Sequence, residues 1–95
     1  MKENQYERLR RVLDEVFLQI SEGKGKERHA SEKPIEEQLG CVITREIGIG
    51  FPLGQAIKKV FESRRLDPKG AKKELLGVMA YLAIAVIVLE DEGKN

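Results

Sequence analysis

Seventeen Lys and Arg balance sixteen Asp and Glu over 95 residues, so the chain carries a net charge of +1. A bare whole-molecule attraction to nucleic acid or to an anionic membrane is therefore excluded. With 41% apolar and 35% charged residues, the composition is that of one soluble globular domain spanning 1–95, and not of a disordered chain. The single cysteine, Cys41, cannot close an intramolecular disulfide, which implies a reducing, cytoplasmic setting.

The first predicted element is a helix over about residues 3–21. Tyr6, Leu9, Leu13, Val16, Phe17 and Ile20 recur at three- and four-residue spacing and form one inward stripe. Charges run throughout the first twenty residues, so no signal-peptide core is expected. Gly23 and Gly25 stop this helix, and residues 22–33 form a polar connection. Pro34 suits the first turn of a second helix, started by Ser31 or Glu32. Ile35, Leu39, Val42, Ile43 and Ile47 keep helical spacing up to the Gly48-Ile49-Gly50 break. A strand over 41–49 is the rival reading, because β-branched residues are frequent there, but no partner strand is evident.

A third helix is predicted over about 53–66, with Leu53, Ala56, Ile57, Val60 and Phe61 inward. Asp67-Pro68 then reads as a cap followed by a first helical residue, opening a last helix that runs to about Glu90. From Leu75 to Leu89 this helix has fifteen uncharged residues, fewer than the roughly 18–20 needed to span a bilayer. It is apolar all round, and a helix of that kind must be covered on most sides. Gly77, Ala80 and Ala83 would let a second helix approach closely. The expected fold is thus all-α: a small bundle of about four helices, oligomeric, with a strongly apolar C-terminal helix. Its expected partner is itself, as a homodimer or a higher assembly.

Chemistry-bearing residues fall in two places. Gly23 to His29 holds Lys24, Lys26, Arg28 and the only histidine, His29, between glycines that leave the backbone open to a ligand. Cations of this kind would neutralise phosphates, with Arg28 offering a forked donor pair and His29 a further donor or a stacking surface. The plainer reading is a solvated linker, since Glu22, Glu27 and Glu32 stand alongside and the spacing is not that of a phosphate-binding P-loop. The second cluster is Lys58, Lys59, Arg64, Arg65, Lys69, Lys72 and Lys73. Offset by Glu62 and Asp67, these seven cations give residues 58–73 a net +5. Folded back on the loop, Lys58, Lys59 and Arg65 would complete an electropositive pocket that the Tyr81 hydroxyl could reach. The plainer reading is the wet face of two helices. Scarce aromatic residues and acidic segments at 32–46 and 90–92 argue against nucleic-acid binding.

No catalytic residue, metal site or cofactor is assigned. One His and one Cys exclude the usual zinc sets, and Cys41 beside Val42 and Ile43 reads as core. Glu32, Glu36, Glu37 and Glu74 are the one carboxylate set that could be considered for a divalent cation.

With Gly-Lys-Gly-Lys-Glu-Arg-His-Ala (23–30), Leu-Gly-Gln-Ala-Ile-Lys-Lys (53–59), Arg-Leu (65–66) and Glu-Leu-Leu-Gly-Val-Met-Ala-Tyr-Leu (74–82), the chain resembles a group of small proteins carried by bacteriophages and prophages. No established activity is attached to that group. More distantly, the helix order and Glu74-x-x-Gly77 are similar to the all-α MazG-like nucleoside triphosphate pyrophosphohydrolases. Those carry Glu-x-x-Glu and Glu-x-x-Asp pairs for magnesium. Here Gly77 replaces the aspartate and no Glu-x-x-Glu occurs. The 23–33 loop and the basic helix point to a non-enzymatic binder of a nucleotide or other phosphorylated small molecule, and the phage resemblance implies that it acts in the host cytoplasm by sequestering a nucleotide signal of host defence. The alternatives are a divergent pyrophosphohydrolase using Glu36, Glu37 and Glu74, and a helical inhibitor or adaptor of a host factor.

Overall fold

The computed structural model describes residues 5–22 and 33–93. Helix α1 covers Glu7–Glu22, a single 3₁₀ turn covers Ile35–Glu37, and α2, α3 and α4 cover Leu39–Ile47, Gly50–Ser63 and Pro68–Gly93. Among the described residues there is no strand, so the architecture is all-α with four helices. The strand reading of 41–49 is overturned, since α2 runs unbroken to Ile47.

Helix α4 is the axis on which the others pack. Its start is built as the sequence predicts. Asp67 Oδ1 accepts the Gly70 N–H at 2.9 Å, and the Asp67 carbonyl accepts the Ala71 N–H at 2.8 Å. A carboxylate at this position satisfies an N–H that the helix cannot, and Pro68 has none to satisfy. Helix α3 lies antiparallel to α4: Phe51 meets Tyr81 at one end, and Lys59 meets Glu74 and Gly77 towards the other. Helix α2 runs in the same sense as α4, Gly40 against Ile84 and Arg45 beside Asp91. Helix α1 joins α4 through a Glu15–Lys72 ion pair of 2.9 Å.

The connections follow from local chemistry. Gly48 has φ 96°, a value that side-chain-bearing residues rarely adopt, and its N–H closes α2 on the Thr44 carbonyl at 2.7 Å. Phe51 N–H then bonds the Gly48 carbonyl at 3.2 Å, which begins α3. At the end of α3, the N–H groups of Arg64, Arg65 and Leu66 bond carbonyls three residues back, tightening the turn before Asp67.

Several predicted boundaries and faces need correction. The second helix does not start at Pro34: Ile35–Glu37 form a separate 3₁₀ turn, and Gln38, with ψ 163°, is extended before α2 begins. Helix α3 starts three residues earlier than predicted and ends at Ser63, because Pro52 is tolerated in a first turn. Helix α4 continues to Gly93, past the predicted end at Glu90.

The inward faces are also rotated. In α3 the buried line is Pro52, Ala56 and Ser63, while Ile57 and Phe61, predicted inward, are exposed, as are Leu53 and Val60. In α1 only Val16 is buried; Tyr6, Leu9, Leu13 and Phe17 face outward, Phe17 at 68% exposure. The physical reason is one of closeness. Small residues let the helix backbones approach, as Gly77 against Lys59 and Gly40 against Ile84 show, and that rotates the bulky side chains away. The largest fully buried side chains are consequently Val88, Thr44, Pro52 and Cys41. No Leu, Ile, Phe or Met is buried among the described residues. Each such side chain fully buried would contribute about 1.5–3 kcal/mol, so the protomer leaves its largest apolar reserve unused.

Candidate functional site

The expected phosphate-binding loop cannot be placed: Lys24, Lys26, Arg28 and His29 lie outside the described residues. The other four predicted ligand residues are described, and they do not converge on one point. Lys58 is exposed on α3. Lys59, one residue on, turns inward and is half-buried. Its Nζ lies 3.3 Å from Glu74 Oε2, and its methylenes lie over Gly77, where a Cβ would meet Cδ at 3.1 Å. Its charge is thus matched within the protomer, and its stem serves as packing. Arg65 is exposed in the turn between α3 and α4. Tyr81 is half-buried, with its ring edge-on to Phe51 at a centroid distance of 6.2 Å. An edge-to-face pair of that kind is a packing contact.

The cations that remain outward group at the α3–α4 corner: Arg64, Arg65, Lys69 and Lys73 are exposed there, and Lys72 is drawn onto Glu15. This is a charged rim and not an enclosed cavity. Of the carboxylates considered for a cation, Glu36 and Glu37 are exposed on the 3₁₀ turn and Glu74 is taken by Lys59. Among the described residues, no three His, Cys, Asp or Glu side chains stand together as a possible metal site.

Beneath the turn, Arg45 holds two elements. Its guanidinium donates to the Glu36 carbonyl and lies 3.4 Å from Asp91 Oδ2, which clamps the turn and the end of α4 to α2. Cys41 is buried in α2, as its apolar neighbours predicted. Its thiol pKa is pushed up chiefly by burial, with Arg45 opposing and Glu36 and Asp91 adding to the rise. A thiol held protonated in this way is a small core side chain and a poor nucleophile.

The feature that spacing alone left unassigned is on α4. The fifteen-residue apolar segment is not bare on all sides. Gly77, Ala85 and Val88 are buried, and Leu76, Val78, Ala80, Tyr81, Ala83, Ile84 and Ile87 are half-buried. Leu75, Met79, Leu82, Val86 and Leu89 stay exposed, between 38% and 55%. They alternate by four and three residues, the spacing of a coiled-coil seam. The signal was in the sequence, hidden because residues of every face of this helix are apolar. The approach predicted at Gly77 is made by α3 of the same chain, through Lys59.

No family model, curated protein or solved structure matches the chain. Among the described residues, no helix is long and apolar enough to cross a membrane.

Proposed function

We propose that the chain acts as a self-associating helical module, without chemistry of its own, whose assembly is made through α4. The observation that carries this reading is the exposed line Leu75–Met79–Leu82–Val86–Leu89 on a protomer with no buried Leu, Ile, Phe or Met among its described residues. Apolar side chains at 3–4 spacing gain their burial when a second helix lies along them. Sedimentation over a wide concentration range tests it. The protein should run as a dimer or larger, and Met79→Lys with Leu82→Lys should run as a folded protomer. A wild-type protein that stays a single protomer throughout removes the reading.

A second reading is favoured by the exposed cations at the α3–α4 corner: that the assembled protein binds a phosphorylated small molecule or nucleotide. Arg64, Arg65, Lys69 and Lys73, with Lys58 nearby in sequence, supply positive charge, and charge-assisted hydrogen bonds to phosphate are the strong ones. Titration calorimetry with mono-, di- and cyclic nucleotides at assembled concentrations tests it, and an absence of heat with all of them removes it.

A further inference from the structure

We propose that two copies of the chain pair antiparallel along α4, about a two-fold axis near Leu82. The inference rests on the self-association proposed above and adds its direction.

Three observations converge on it. First, the seam lies on the side of α4 opposite its contacts with α2 and α3. Gly77 lies under Lys59, Ile84 against Gly40, and Asp91 beside Arg45, so the inward contacts recur every seven residues. Positions 75, 79, 82, 86 and 89 lie on the other side of the same helix and extend over about 21 Å at 1.5 Å per residue. A second helix can be laid there without disturbing α2 or α3, and α1 meets the line only before its start, where Lys72 pairs with Glu15.

Second, the residues flanking the middle of the seam carry no charge: Leu76, Val78, Ala83 and Ala85. Direction is therefore decided at the two ends. The first turns of α4 carry Lys69, Lys72 and Lys73, and its last turns carry Glu90, Asp91 and Glu92. Parallel pairing would set lysines against lysines and acids against acids. Antiparallel pairing sets Lys69 of one copy near Glu90 of the other, both exposed residues and both on the flank of the seam that Leu76 and Ala83 continue.

Third, these charges have the wrong sign for the helix that bears them. The first turn of α4 has no acidic residue and its last turn no basic one. Lysines near the positive N-terminal end and acids near the negative C-terminal end are both unfavourable within a single helix. Beside an antiparallel copy, each group faces the opposite charge and the opposite end of a helix dipole. The arrangement also maps onto itself under a two-fold rotation, as a closed dimer requires.

Charge reversal tests the direction without touching the apolar seam. Lys69→Glu, and separately Glu90→Lys, should each raise the dimer dissociation constant about tenfold in low salt, since like charges then meet at both ends of the pair. Circular dichroism should show both variants folded, because each change improves its own helix terminus. The chain with both reversals, and an equimolar mixture of the two single variants, should both associate as the wild type does. If the wild type dimerises but one-end reversal leaves its dissociation constant unchanged, antiparallel pairing is overturned while self-association stands. If the wild type does not associate at all, both fall together.

Discussion

A Cβ built on Gly40 would stand 2.9 Å from Cδ1 of Ile84, so α2 and α4 meet where one of them has no side chain. The closeness of that contact sets the depth at which the rest of α2, with Cys41 and Thr44 buried in it, sits on α4. Gly40→Ala should therefore cost about 0.5–1.5 kcal/mol despite alanine's better helix propensity, because Ile84 must give way. In an Ile84→Val background the clashing atom is gone, and the same alanine should be neutral or stabilising. Urea unfolding of the four proteins in this cycle measures a coupling of about 1 kcal/mol; strict additivity would refute the contact.

Gly77 gives the opposite result for the same substitution. Its nearest neighbours are Cδ and Cε of Lys59, a flexible stem that can swing outward. Gly77→Ala gains about 1 kcal/mol of helix propensity and loses some or all of the Lys59–Glu74 pair, a part-exposed interaction worth about 1 kcal/mol or less. Its unfolding midpoint should stay close to that of the wild type. Gly77→Leu cannot be accommodated by Lys59 alone and should cost about 1–3 kcal/mol as α3 is pushed off α4.

The cap on α4 is a single carboxylate. Asp67→Ala removes the acceptor for the Gly70 N–H and should lower stability by about 1 kcal/mol, whereas Asp67→Asn keeps an acceptor and should lose much less. Equal losses in the two variants would show that Asp67 acts by something other than capping.

Cys41 links stability to alkaline pH. Burial holds its folded pKa above the ordinary thiol value, so the thiol's contribution is fully present below that value. Above about pH 8.5 the unfolded chain ionises first, and the contribution is lost as pH rises towards the folded pKa. The stability advantage of the wild type over Cys41→Ala should therefore shrink between about pH 7 and pH 10. A thiol reagent should label Cys41 of the native protein no faster than the protein opens, and rapid labelling at pH 8 would contradict its burial.

The candidate site was legible in the sequence only as a set of residue types. That Lys58, Lys59 and Arg65 are cations near one another in the chain says nothing of direction. Successive helix positions differ by about 100°, which sets Lys58 outward and Lys59 inward, and only a facing Glu74 and a side-chain-free Gly77 make the inward position tenable. Tyr81, which the sequence offers as a hydroxyl that could reach a ligand, has its ring edge-on to Phe51, thirty residues away in α3, a pairing that no local pattern announces.

What the sequence determined by itself was local. The Asp67-Pro68 start, the Gly48 break, the all-helical class and the burial of Cys41 each depend on neighbouring residues in the chain, and each stands in the structure. What the tertiary structure decided was which face of each helix is covered. Amphipathic spacing marks an apolar stripe but not its neighbour: α3 meets α4 with Lys59 over Gly77, and Ile57 and Phe61 point outward. In α4 nearly every face is apolar, so periodicity was silent. Only packing against α2 and α3 divided that surface into an inner side and the outer line from Leu75 to Leu89. Helix contacts depend on backbone approach, and approach is a property of two elements together, which no single stretch of chain encodes.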